Sequence, residues 1–207
     1  MTEGAFQLTT VVVGDEPEAW ARAGFSMIDR HTRIGSTTIV CDPASGSGIT
    51  RVAIAGITEP VDGLPIGGEP VESETATHPN RVSAFDHLVA MSPAIDRTSA
   101  ALAAAGLEKR RTREFEVGGA TRRQDFFWMG DVILELVGQR GQNDPGPAVF
   151  WGLALECDDL TEAAASLGDG LGRIKDAVQP GRQIATIRTR DLGVSVPIAL
   201  MSPHVRT

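Results

Sequence analysis

The run Phe85-Asp86-His87-Leu88-Val89-Ala90-Met91 leads through Ser92-Pro93 into an alanine-rich stretch that reaches Ala105 and stops at Gly106-Leu107. Its reading decides the fold. The first seven residues are a short apolar run of strand length. Ser92 is a residue type that accepts bonds from orphan amides at a helix start, and Pro93 suits a first helical position, where its missing N–H has no partner to lose. Gly106 suits the left-handed residue that closes a helix. Between them Ile95 and Leu102 mark one apolar face, expected to lie on a sheet. Two strands over 113–117 and 121–128 then flank Gly118-Gly119, a hairpin signal. After Gly130 comes Asp131-Val132-Ile133-Leu134-Glu135-Leu136-Val137, an almost wholly apolar strand with one carboxylate inside it. The unit is βαβββ.

The same order recurs on both sides. Upstream, a strand over 8–13 passes Asp15-Glu16-Pro17, a helix to Ala23, Gly24-Phe25, and strands over 32–34 and 35–41. Downstream, a strand over 149–155 passes Asp158, a helix to Leu167 and Gly168, then strands over 173–178, 183–188 and 194–201, with Pro180-Gly181 as a turn. Asp15 and Asp158 are the expected helix caps. A strand over 50–57 has no helix of its own and reads as the stub of a fourth unit. Residues 59–81 are rich in proline and glycine, so no regular element is expected there. The chain thus divides into a divergent module over 1–58, a linker over 59–81, a central module over 82–145 and a C-terminal module over 146–207. A unit this small cannot bury its apolar face alone and must pair with another, enclosing a cleft.

Composition narrows the functions. A net charge of −8 disfavours nucleic acid, which needs a basic face. Lys109, Arg110, Arg111 and Arg113 alternate with Glu108, Glu114 and Glu116, the pattern of a solvated strand face. Cys41 and Cys157 lack ligand spacing and read as reduced thiols of a cytoplasmic protein. No apolar run approaches a membrane span, and no leader pattern opens the chain. The glycines at 168, 170 and 172 follow a helix rather than a strand, so they are not a dinucleotide fingerprint.

The repeated unit, with Phe85-Asp86-His87-Leu88-Val89 opening it and Asp131-Val132-Ile133-Leu134-Glu135-Leu136 closing it, resembles the vicinal oxygen chelate superfamily, the glyoxalase, bleomycin-resistance and extradiol-dioxygenase fold. The resemblance implies an α+β fold of βαβββ modules paired into a half-barrel, a ligand site on its concave face, and metal ligands on the first and last strand of each module. In the central module those places carry His87 and Glu135. In the C-terminal module they fall on Trp151 or Gly152 and on Ile198 or Ala199; in the first module, on Thr9 or Thr10 and Val40. None of these is a good metal ligand.

Two ligands alone hold a metal weakly, since catalytic zinc takes three protein ligands and non-haem iron takes two His and a carboxylate. The expected protein is therefore a glyoxalase-like small-molecule binder, a lyase or isomerase that works without a cofactor, with His87 and Glu135 as acid and base. Alternation groups Phe85, His87 and Val89 on one face, and Ile133, Glu135 and Val137 on another. Burial among Ile133, Leu134 and Leu136 would raise the Glu135 pKa unless His87 or an arginine offsets it. One alternative is a metal-dependent lyase or dioxygenase with a divalent ion (Zn, Fe, Ni or Mn) on His87, Glu135 and a third group from His31, His78, His204, Glu156 or a neighbouring chain, with His78 and His204 expected at the surface. Another is non-catalytic sequestration, as in resistance proteins. Phe85, Phe127, Trp128 and Trp151 are candidates for stacking on a ligand, against a competing role in the core. Lys175 and Arg182, with Arg122 and Arg123, are candidates for holding an anionic group. An odd number of modules makes a homodimer plausible.

Overall fold

The computed structural model describes residues 6–204, so the ends of the first and last expected modules lie outside the described residues. An eight-stranded sheet and a four-stranded sheet share one hydrophobic core. The central module runs β5 (Val82–Met91), α2 (Ile95–Ala104), β6 (Lys109–Val117), β7 (Ala120–Met129) and β8 (Val132–Gln139). The C-terminal module repeats it as β9 (Val149–Cys157), α3 (Leu160–Leu167), β10 (Lys175–Asp176), β11 (Gln183–Thr186) and β12 (Ile198–Met201), with a short α4 (Thr189–Leu192) between the last two. In each module the last strand lies parallel beside the first, and β5 and β9 join the modules antiparallel. The order is β10-β11-β12-β9-β5-β8-β7-β6.

Local chemistry accounts for the elements. Gly118 and Gly119 both have positive φ, 60° and 79°, as the tight β6–β7 hairpin requires. Helix α2 buries Ile95, Thr98, Ser99 and Leu102. It packs against β8 at Gly138, where an added Cβ would stand 2.7 Å from the Ile95 Cβ.

The caps differ in detail from expectation. Asp159, not Asp158, caps α3, accepting bonds from the Thr161 and Glu162 amides. Asp158 instead accepts from Ser83 Oγ. Asp15 spends its carboxylate on Trp20 Nε1 and the Ser195 amide, tying α1 (Pro17–Arg22) to the C-terminal module. Ser92 sits two residues ahead of Ala94, the residue that opens α2, and accepts from the Ala94 amide.

The N-terminal sheet contains β1 (Gln7–Val13), β2 (His31–Ile34), β3 (Thr37–Cys41) and β4 (Ile49–Ala55), in the order β2-β3-β1-β4. Two strands follow α1 where three follow α2 and α3, so this unit is βαββ. Strand β4 lies antiparallel beside β1, the relation that β9 has to β5. It occupies the place of the first strand of a neighbouring unit.

Residues 59–81 form no strand or helix but follow a fixed course over this sheet. The Pro65 carbonyl accepts from the Val52 amide, the Gly67 amide returns a bond to Val52, and the Val71 amide donates to Thr10 Oγ1. The strap thus covers Thr10, one of the places where the first module would carry a ligand. Its far end is held by His78, which is buried rather than at the surface as expected. Its Nδ1 accepts from the Ser26 amide and its Nε2–H donates to the Arg33 carbonyl. No helix among the described residues is long and apolar enough to cross a membrane.

Candidate functional site

A cleft of about 370 Å³ opens on the face of the eight-stranded sheet away from α2. Its walls are apolar: Val89, Met91 and Val137 on one side, Trp151, Leu153 and Ile198 on the other, with Ala154, Pro197 and Ala199 between. Its ionisable lining groups are His87 and Glu135. They touch, with His87 Nε2 3.1 Å from Glu135 Oε2.

Parallel pairing of β5 with β8 sets this contact. His87 lies opposite Ile133 and Val89 opposite Glu135, so the two polar side chains are diagonal neighbours on one face. Phe85 pairs with Leu155 and His87 with Ala154, which leaves Asp86 as the extra residue of a β-bulge. The bulge breaks the alternation that would group Phe85 with His87. Phe85 turns into the hydrophobic core, and Asp86 comes round to meet its neighbour, its Oδ1 2.7 Å from His87 Nδ1.

The site extends further on both sides. Asp86 Oδ2 lies 2.6 Å from Arg182 Nη1, and Arg182 Nε donates to the Ser202 carbonyl at 2.7 Å. On the other side Gln124 Nε2 donates to Glu135 Oε1, and Arg113 Nη1 lies 3.5 Å from Gln124 Oε1. A polar chain Arg113–Gln124–Glu135–His87–Asp86–Arg182 therefore crosses the sheet beneath an apolar cleft.

Its electrostatics differ from end to end. Burial pushes the Glu135 carboxyl above its ordinary value, and the charges of His87 and Arg113 and the bond from Gln124 offset this only in part. Burial also works against ionised Asp86, but His87 and Arg182 outweigh it and hold that carboxyl below its ordinary value. Asp86 is thus the fixed anion, and Glu135 is the group poised to keep a proton. With Nδ1–H donated to Asp86, neutral His87 presents Nε2 as an acceptor toward Glu135. One proton then has two places to sit: on Glu135, or on His87 as an ion pair.

No protein-family model matches the sequence, and no curated protein matches it. Solved structures do. A triple mutant of 4-hydroxymandelate synthase from Streptomyces coelicolor superposes with a TM-score of 0.66 at 14% identity, over 97% of this chain and 94% of that one. A xylose isomerase-like TIM barrel/4-hydroxyphenylpyruvate dioxygenase fusion protein gives 0.62 at 13% identity, over 100% of this chain and 51% of that one. An extradiol ring-cleaving dioxygenase from B. fuscum gives 0.56 at 13% identity, over 100% and 75%. The chain has the vicinal oxygen chelate fold. At these identities the likeness establishes architecture and leaves chemistry to the residues present.

Within that fold the donor set does not suit a tightly held metal. His87 and Glu135 converge, and Asp86 orients the imidazole from behind. Among the described residues lining the cleft, the facing half supplies no third His, Cys, Asp or Glu. A Cβ on Gly152 would stand 2.9 Å from the Pro197 carbonyl oxygen, so a ligating side chain there is sterically closed. Ala154 and Ala199, paired across β9 and β12, offer only methyl groups. Among the described residues no group of three or more His, Cys, Asp and Glu side chains is placed to hold a metal ion.

The remaining sequence candidates separate. Trp151 lines the cleft and is half-exposed. Trp128 is exposed on the same sheet face, opposite Ile133, but outside the cleft itself. Phe127 is fully buried in the core and, like Phe85, is withdrawn from the ligand-stacking set. Lys175 lies exposed on the outermost strand, β10, and does not line the cleft. Arg182 is 2% exposed and grips Asp86, so it positions the site from behind instead of contacting a ligand. Arg123 is engaged by Asp125 and Asp96, which hold its pKa above the ordinary value. Asp86 and Gln124 escaped the sequence reading. The signal available for Asp86 was a carboxylate inside an apolar strand, beside the histidine already singled out.

Proposed function

We propose that this protein binds a small organic molecule in the concave cleft and that the His87–Glu135 pair exchanges a proton with it, as a metal-independent lyase or isomerase of glyoxalase-like architecture. The observation that carries the reading is the contact of Glu135, whose carboxyl pKa burial raises, with an imidazole whose far nitrogen is held by Asp86. A general acid or base works best when its pKa approaches the working pH, and burial moves Glu135 in that direction. The apolar walls take the body of the ligand, with Trp151 as a stacking surface. Catalysis is an extension of binding here, so the two are tested in sequence.

A thermal-shift screen of small molecules against the wild type, His87→Ala and Trp151→Ala forms is the first test. Compounds that raise the melting temperature of the wild type and not of the variants support the reading; a library that shifts nothing overturns it. Hits are then incubated in D2O and followed by NMR. Deuterium entering the ligand with the wild type, and not with Glu135→Gln, supports proton transfer. A ligand recovered unchanged and unlabelled marks a sequestering protein instead. The same reading allows a homodimer formed through the open face around Trp128, Val149 and Trp151, and a monomeric mass by light scattering removes it.

A further inference from the structure

The basic cluster of β6, expected to be a solvated face, divides in two. Residues paired across an antiparallel ladder share a face. Arg111 pairs with Phe126, Arg113 with Gln124, and Phe115 with Arg122. Phe126 and Gln124 in turn pair with Glu135 and Val137 on β8. Arg111, Arg113 and Arg122 therefore stand on the face that carries Glu135.

Among the described residues no carboxylate forms an ion pair with any of these three. Lys109, Arg110 and Arg123, the other cations of β6 and β7, all have one. The contrast is pronounced in a chain with 27 acidic and 19 basic residues, where carboxylates are in surplus. Three arginines grouped without an ion-paired carboxylate repel one another, and one bound anion relieves that. Arg113 is also oriented, its guanidinium 5.2 Å from the centre of the Phe115 ring and one nitrogen against Gln124. Two strand spacings, about 10 Å, separate β6 from β8.

Taking the cleft as the ligand site argued above, we propose that its ligand is a small organic acid, a carboxylate or phosphate held by Arg111, Arg113 and Arg122, whose chain crosses Phe126 to the His87–Glu135 pair, where its apolar end enters the cleft beside Trp151. The guanidinium fork matches the paired oxygens of either anion, which a lysine would not do. The spacing sets the ligand's length at about 10 Å from acidic group to reacting end.

The test is calorimetric titration with three matched series, ω-phenylalkanoates, ω-phenylalkyl phosphates and ω-phenylalkanols with two to six methylenes. The acids or phosphates should bind about tenfold more tightly than alcohols of equal length. Arg113→Gln and Arg122→Gln should each remove most of that advantage while leaving the alcohols unchanged, and Arg110→Gln should alter neither. Alcohols that bind as well as the acids, or acids indifferent to both substitutions, would overturn the arginine assignment while the cleft reading stands. Failure of all three series to bind overturns both. Which anion binds more tightly identifies the acidic group.

Discussion

Arg182 and Asp86 form an ion pair of 2.6 Å in which neither side chain is more than 5% exposed. It joins the turn before β11 to the bulge in β5, so the C-terminal module fixes the anion that orients the central module's histidine. Removing one member of a buried pair strands the other charge. Arg182→Gln is expected to lose about 3–5 kcal/mol in urea unfolding at neutral pH. The pH dependence should move too. Asp86 ionises below its ordinary 3.8 in the folded chain, so the stability it confers is present above 3.8 and lost as pH falls through the folded value. Without Arg182 that loss should begin at higher pH.

Glu135 works in the opposite direction. Its folded pKa lies above the ordinary 4.5, so the native state holds this proton after the unfolded chain has released it. Stability attributable to Glu135 is full below 4.5 and declines as pH rises to the folded value. Glu135→Gln has no proton to lose. Its melting temperature relative to wild type should climb over that interval and then level, as a calorimetric pH series would show.

His78 gives the strap its own acid sensitivity. Burial lowers its pKa below 6.5, with the bond to the Arg33 carbonyl opposing in part. The unfolded chain therefore takes up a proton first, and stability falls as pH drops from 6.5 toward the folded value. Protonation would also place an N–H against the Ser26 amide that now donates to Nδ1. In an NMR titration the His78 ring signals should move below pH 6.5, and amide exchange at residues near 26 and 78 should accelerate with them.

Two aromatics nominated together should behave differently. Phe127 is fully buried, and Phe127→Ala should cost about 3–5 kcal/mol. Trp151 is half-exposed, so Trp151→Ala should change stability by no more than about 0.5 kcal/mol while weakening any cleft ligand. Chemical denaturation and ligand titration of both variants separate the roles.

The architecture was legible because each module carries its own punctuation. Gly118-Gly119, Gly106 and the alanine-rich helices announce their elements locally. The strands expected over 173–178 and 194–201 are shorter in the structure, Lys175–Asp176 and Ile198–Met201, because residue types alone do not show where pairing stops. Within the site, His87 and Glu135 could be found from their places on the first and last strands of a unit. Asp86 could not, because period-two alternation assigns it to the wrong face unless the bulge is known. Arg182 lies 96 positions from its partner, and nothing local marks so distant a pairing. The sequence also cannot say which arginines of an alternating strand lack a carboxylate, since the partners of the others come from β7 and α2 as well as from the strand's own approach.

The additional residue in β5 puts the seam between the two halves of the large sheet one step out of phase. An excision of Asp86 would re-time the strand as well as remove a carboxylate. Phe85 would then stand directly beside His87 in plain two-residue rhythm, its ring still in the core, while the imidazole lost its rear support. A single-codon deletion should thus abolish the pocket's chemistry more thoroughly than any substitution at that position.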